Sequence, residues 1–454
     1  MDASAGKHAA PLVPGSCLFG SARDLQRDQL GTYERAMHAH GDLARFRIGP
    51  PRLGFEFDAV FDPAGARHVL AEASAGYVKD APVYREFKHL FGEGLFTLDG
   101  EPWQRRRRTL QPLFTKRRVQ DHVPLMSAHA EGLVRSLRDG KGNGHLPAAT
   151  TEYTLNVLGA ALFGADMASV APVIEHAVPL LNAHGARRGL APLRLPASLP
   201  TPANRRARGA QQELRGFVER LMSEREGAEQ PRDLLGLLMT ATDPETGVGL
   251  DVEAIRDEAL IFLGAGLDPP PNALACALYL LGGHQEVQER VRQEVRQVLG
   301  DRPVTAADLP ALRYTTQVVD ESLRLYPPGH TLLRRATVPD ALHGHPVPPG
   351  RIVAVSIWGI HRSPKVWADP HEFRPERFRQ ARAAERDTYA YLPFGGGPRT
   401  CIGRHLAHAE FVVAVATVVR DLRITAPDRQ PPVKAGLTLM TDEPFGCRFE
   451  PLSA

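Results

Sequence analysis

The run Phe394-Gly395-Gly396-Gly397-Pro398-Arg399-Thr400-Cys401-Ile402-Gly403 decides the reading of this chain. Three glycines and a proline make a loop that neither helix nor strand would choose. Directly behind it, HLAHAEFVVAVATVV has the apolar spacing of a helix, predicted over 402–420. A thiol near a helix start faces unpaired backbone N–H groups and the positive dipole end, which lower its pKa and favour thiolate. The glycines let a large flat group approach the backbone closely. A lone cysteine in such a cradle points to a single thiolate bond to haem iron. Most free cysteines are packing residues; the Gly-Pro-Arg-Thr-Cys-Ile-Gly setting argues against that fate for Cys401.

Outward from this loop, three other runs stand out. Glu321-Ser322-Leu323-Arg324 lies in a helical pattern over 310–326, and Pro375-Glu376-Arg377-Phe378 follows some fifty residues later. Trp103-Gln104-Arg105-Arg106-Arg107 sits in a helical stretch over 101–140. Trp103 and Arg107 are one turn apart on one face. Alone, Glu321 with Arg324 would be a surface pair worth under ~1 kcal/mol, and four arginines at 105–108 would be a solvated or nucleic-acid-binding face.

Together, these runs resemble the cytochrome P450 superfamily from about residue 11 to the end. The family's Phe-x-x-Gly-x-Arg-x-Cys-x-Gly is matched at every fixed position, and Ala407 and Glu410 extend the match. The resemblance implies a mainly α fold with small β-sheets, in a single domain over 1–454 with an irregular segment at 1–20. It implies haem b between a long distal helix and the Cys401 loop. Glu321, Arg324 and Arg377 then form a buried network behind the thiolate. Trp103, Arg107 and Arg399 hold the haem propionates with Arg334, for which Arg335 competes, and Phe394 and Gly403 belong to the same cofactor cradle.

One signature departs. The family's distal helix carries Ala/Gly-Gly-x-Asp/Glu-Thr-Thr; this chain has Ala265-Gly266-Leu267-Asp268-Pro269-Pro270-Pro271. In the family the threonine hydroxyl helps deliver protons as dioxygen is cleaved, and proline has neither hydroxyl nor N–H. Three prolines inside a helix predict a break that strains the carbonyls of Ala265, Gly266 and Leu267, at ~3 kcal/mol or more each. Three readings stay open. Dioxygen chemistry can continue with a proton from water or a substrate hydroxyl, organised by Asp268 and Asn272. Peroxide can replace dioxygen, although the arginine that accompanies proline in peroxide-using relatives is Leu267-Asp268 here. Or the haem desaturates, couples, closes rings or isomerises without inserting oxygen; a non-redox haem protein is the alternative from another class.

By the family's topology the substrate pocket takes Val83, Tyr84, Phe87, Leu90, Phe91, Leu95 and Phe96 from a long loop at 74–99, then Leu263. His330, Thr331, Leu332, Leu437, Leu439 and Met440 complete it. Such an apolar, aromatic lining suits a medium-sized terpenoid, polyketide or fatty-acid derivative of secondary metabolism, antibiotic biosynthesis included. Electrons come from a separate ferredoxin or flavodoxin and its reductase, because no flavin or nicotinamide fingerprint is present. Arg105, Arg106, Arg108, Lys116, Arg117, Arg118 and Arg404 are the expected docking patch.

Composition sets the outer bounds. The 454 residues are 43% hydrophobic and 24% charged with a net charge of +3, which excludes a disordered chain and a nucleic-acid binder driven by bulk charge. Four scattered cysteines, Cys17, Cys276, Cys401 and Cys447, are no disulfide scaffold. The longest apolar stretch, Ala259–Leu267, is far short of the ~20 residues a membrane span needs. The expectation is a soluble, cytoplasmic monomer without a membrane anchor.

Overall fold

The computed structural model describes residues 9–140, 145–164, 171–189, 196–225, 233–380, 385–442 and 445–452. Its helices are α1 (Ala22–His40), α2 (Pro63–Arg67), α3 (Pro82–Phe91), α4 (Gly100–Leu110), α5 (Lys116–Arg138), α6 (Leu146–Phe163), α7 (Ala171–Gly189) and α8 (Pro202–Ser223). They continue with α9 (Leu234–Thr240), α10 (Val252–Leu267), α11 (Pro269–Gly283), α12 (Gln285–Leu299), α13 (Arg313–Leu325), α14 (Ile357–Ile360) and α15 (Arg404–Asp421). Among the described residues no helix is long and apolar enough to cross a membrane.

Two apolar bodies flank the site. α5, α6, α11, α13 and α15 share one core, in which Val413, Ala414, Val415, Ala416, Val418 and Val419 of α15 are fully enclosed. α3, α7, α8 and α10 share another, rich in Phe and Leu. Beside them lies a five-stranded sheet of β1 (Leu43–Ile48), β2 (Phe55–Val60), β3 (Tyr77–Val78), β4 (Thr331–Ala336) and β7 (Ile352–Ser356), in the order β1-β2-β7-β4-β3. β2 and β7 run parallel and the other neighbours antiparallel. Small hairpins pair β5 (Asp340–Leu342) with β6 (His345–Val347), β8 (Leu422–Thr425) with β11 (Arg448–Pro451), and β9 (Val433–Ala435) with β10 (Leu439–Thr441).

Two sequence expectations change. The stretch 74–99 is not a continuous loop: Pro82 opens α3, whose Val83, Tyr84, Phe87, Leu90 and Phe91 form one buried stripe at helical spacing. The distal segment breaks as expected, but without the expected strain. α10 ends at Leu267, and Pro269, Pro270 and Pro271 become the first three residues of α11. The first N–H groups of a helix have no partner within it, so prolines there remove nothing the helix uses. The Asn272 side chain closes the turn by donating to the Asp268 carbonyl at 2.9 Å. The sequence also predicts a Pro-rich break at 191–206 and, by the family's topology, a pocket wall over 165–205; both fall partly outside the described residues.

Candidate functional site

Between the α15 side and the α10–α11 side lies a cavity of about 450 Å³. Cys401 lies deep in the protein, yet its sulfur is accessible because its open side is this cavity. The loop is pinned where Cys401 N donates to the Phe394 carbonyl at 2.9 Å, and Phe394 and Gly403 line the same wall. α15 starts only at Arg404, so Cys401 precedes the helix rather than beginning it. Burial therefore raises the thiol above its ordinary pKa, against the sequence expectation. The Gly403 amide, Arg107, Lys79 and Arg404 pull the other way without overcoming it. A bound metal cation is what would make this sulfur a thiolate. Among the described residues no cluster of three or more His, Cys, Asp or Glu could hold a metal.

The cavity rim above Cys401 is cationic. Trp103, Arg107, Arg334 and Arg399 all line it. The Arg399 guanidinium stacks 4.4 Å from the Trp103 ring centroid, bonds Asp99, and donates to the Leu98 carbonyl at 2.8 Å. Its Nη1 is buried without a partner, and burial lowers its pKa to about 10. Arg334 is 4% exposed and donates to the Leu333 carbonyl at 2.8 Å. Its competitor Arg335 turns away to the Asp80 carbonyl at 2.9 Å. A fourth cation, Lys79, escaped the sequence reading. It lines the cavity with its Nζ 4.1 Å from the Phe96 ring centroid, and burial pulls its pKa far down. Buried, under-partnered cations call for an anion; the two propionates of a haem fit that demand, as the sulfur fits its iron.

Behind the cysteine loop the Glu321–Arg324–Arg377 network is present and enclosed. Arg324 bonds Glu321 through Nε at 2.7 Å and Nη2 at 2.8 Å, and Arg377 Nε reaches Glu321 Oε1 at 3.2 Å. Arg324 Nη1 also donates to the carbonyls of His361 and Pro370, both at 2.7 Å. His361 connects this network to the loop. Its Nδ1 lies 2.9 Å from the Arg324 carbonyl, and its Nε2 accepts from Leu392 N–H at 2.8 Å. Its sequence signal was a lone histidine in IHRSP, with no spacing to mark it.

On the far wall Ala265, Gly266, Asp268 and Pro269 line the cavity. Asp268 accepts from Thr438 Oγ1 at 2.7 Å, and burial pushes its carboxyl above the usual range. Tyr84, Phe87, Phe91, Phe96, His330 and Thr331 line the cavity too. Asn272 does not: its amide is held between the Asp268 carbonyl and Thr441. Leu263 and Leu439 do not either, each being packed into a hydrophobic core. Leu90 is likewise core, and Met440 is exposed. Two carboxylates of α10 tether the aromatic wall, because Glu93 N donates to Asp257 at 2.8 Å and Leu95 N to Glu258 at 2.7 Å. Arg106 pairs with Glu258 at 2.9 Å and Arg108 with Asp243 at 2.9 Å, so both leave the expected docking patch. Arg105, Lys116, Arg117, Arg118 and Arg404 remain exposed.

The family model described as Cytochrome P450 matches residues 10–448. Cyclooctat-9-en-7-ol 5-monooxygenase of Streptomyces melanosporofaciens is 34% identical over 424 residues, covering 91% of this chain and 89% of that protein. Cyclooctatin synthase of the same organism is 32% identical, with 95% of each covered. The solved heme domain of cytochrome P450DA superposes with a TM-score of 0.88 at 27% identity, over 98% of both chains. With matches spanning nearly its whole length, this chain belongs to the cytochrome P450 family and is a monooxygenase that uses thiolate-ligated haem iron.

Proposed function

We propose that residues 1–454 act as one haem-thiolate unit that hydroxylates or epoxidises a medium-sized, cyclic, apolar terpenoid. The observation that carries this reading is a single cavity lined by Cys401, by the cations Lys79, Arg107, Arg334 and Arg399, and by the aromatic rings of Tyr84, Phe87, Phe91 and Phe96, beside the α10–α11 break. When bound, the haem supplies the activation of dioxygen. Cys401 holds its iron, and Trp103, Arg107, Arg334 and Arg399 hold its propionates, with Lys79 beside them. Glu321, Arg324, Arg377 and His361 keep the loop bearing Cys401 from shifting. The aromatic wall excludes water and orients the apolar body of the substrate. Asp268, set in the break where the helix offers no threonine, accepts from Thr438 at Oδ2 and, as a carboxylate, takes up and hands on a proton at its other oxygen. Burial raises its pKa above the usual carboxylate range, which makes it a readier proton acceptor than an exposed aspartate.

The relatives named for cyclooctat-9-en-7-ol and cyclooctatin support a terpenoid over a polyketide or a fatty acid. The exposed cations Arg105, Lys116, Arg117, Arg118 and Arg404 suit an acidic ferredoxin or flavodoxin as electron donor. The missing threonine favours a second reading, oxidation without oxygen insertion. Turnover of cyclooctat-9-en-7-ol and related cyclic terpenoids with a ferredoxin, its reductase and isotopically labelled dioxygen separates the two. Products carrying one labelled oxygen are expected; products formed without label would reject monooxygenation of those compounds.

A further inference from the structure

The polar groups on the cavity's far wall have hydrogen-bond directions that the structure determines. His330 is buried, and its Nε2 lies 3.1 Å from the Gly436 carbonyl oxygen. A carbonyl only accepts, so Nε2 carries the ring's proton. Burial keeps this ring neutral at physiological pH, with its pKa drawn down to about 4. A neutral imidazole has one N–H, so Nδ1 is an acceptor. The atom facing Nδ1, at 3.0 Å, is Thr331 Oγ1, whose single proton is thereby committed to the histidine. Thr438 is in the same position. Its Oγ1 donates to Asp268 Oδ2 at 2.7 Å. The two threonines belong to one surface, because Leu439 N donates to the Pro328 carbonyl at 2.8 Å and His330 bridges to Gly436. Both line the cavity. What this wall offers a ligand is therefore hydroxyl lone pairs, with no free hydroxyl proton.

We propose that the Thr331–Thr438 wall is an acceptor-only subsite that recognises a hydroxyl group already present on the apolar substrate and discriminates against a carbonyl at the same place. The substrate is then an alcohol. The reaction supplying it is an earlier hydroxylation, or a cyclisation terminated by water. This rests on the reading of the cavity as a site for a cyclic apolar molecule and sharpens it to an oxygenated one. A ketone brought against these oxygens gains no hydrogen bond and sets acceptor against acceptor.

The test is calorimetric titration of the haem-loaded protein with cyclododecanol, cyclododecanone and cyclododecane, three probes of nearly one shape. One neutral hydrogen bond corresponds to about tenfold in affinity, so the alcohol should bind about tenfold tighter than the ketone. Replacing both hydroxyls, in Thr331→Val/Thr438→Val, should erase that preference and leave cyclododecane unchanged. His330→Phe should free the Thr331 proton and move the preference towards the ketone. Equal binding of alcohol and ketone by the parent would overturn the proposal, as would a preference that survives loss of both hydroxyls. Failure of all three probes to bind would instead reject the apolar cavity reading beneath it.

Discussion

On the cysteine side of the cavity, the frame behind the loop is over-determined. Glu321 receives Arg324, Arg377 and the Arg374 amide, His361 ties Arg324 to Leu392, and Cys401 N is bonded to Phe394. On the opposite side, the chain changes helix at Asp268, and one carboxylate–hydroxyl bond, Asp268 to Thr438, bridges the opening. The first side is built to hold a cofactor still. The second is where a proton and a substrate must move, and its groups are few, polar and singly bonded. A rigid ligand frame opposite an open helix junction is how this chain accommodates three prolines without losing the haem site.

The largest expected effect lies on the rigid side. Cys401→Ala should abolish the thiolate Soret position in the reduced, carbon monoxide-bound difference spectrum, while Cys17→Ala, Cys276→Ala and Cys447→Ala retain it. The last two thiols are buried, with burial raising their pKa. A thiolate spectrum from Cys401→Ala would remove it as the iron ligand. Next, Glu321→Ala strands Arg324 and Arg377 in a site from which Glu321 and Arg324 are excluded from solvent. Breaking a buried ion pair costs ~3–5 kcal/mol, so haem-depleted protein with a lowered Tm is expected. Full haem loading at the parent's Tm would show that the frame does not depend on this network.

These two predictions rest on residues that short motifs displayed in the sequence. Cys401, Glu321, Arg324, Trp103 and Arg107 lie within a few residues of their motif partners, so the resemblance of several short runs to the family exposed them where no single spacing would have. Asp268–Thr438 and His330–Gly436 were not legible, because their partners are 170 and 106 residues apart and meet only through the β9–β10 hairpin. Lys79 was hidden for a like reason, being a lone lysine whose role depends on Phe96, Arg334 and Arg399 around it. Arg106 and Arg108 misled, because a run of arginines gives no hint that Glu258 and Asp243 wait on distant segments. Leu263 and Leu439 misled because an apolar residue beside a pocket and one inside a core have the same chemistry.

On the open side, Asp268→Asn removes the one carboxylate at the junction and should lower product turnover on the order of 10²-fold, the low end for loss of a positioned acid–base group. Unchanged turnover would take Asp268 out of proton handling. A smaller effect separates the two sides by pH. Glu410, on α15, is buried with Oε1 unpartnered, and burial raises its pKa from 4.5 to about 8. A carboxyl whose folded pKa lies above its unfolded value binds its proton more tightly when folded. Stability from this group is therefore complete below about 4.5 and lost as pH rises towards about 8. Glu410→Gln should raise Tm by a few degrees at pH 8 and leave it unchanged at pH 4.5. An equal effect at both pH values would contradict a buried, protonated Glu410.

The smallest expected effect is the most telling. Pro269→Thr restores the family's hydroxyl at the junction, but Pro270 and Pro271 still occupy the first turn of α11, and Asp268 still faces Thr438. If the open side is a rebuilt site rather than a damaged one, the added hydroxyl has nothing to repair. The measurement is product turnover together with the fraction of electrons lost as peroxide, in the parent and in Pro269→Thr, on whichever terpenoid the labelled-dioxygen screen identifies. Turnover within about twofold of the parent is expected, in line with a change that neither adds nor removes a positioned acid–base group, with no fall in the peroxide fraction. Higher turnover with less peroxide in Pro269→Thr would contradict it, and would make the parent an ordinary hydroxylase that had merely lost its threonine.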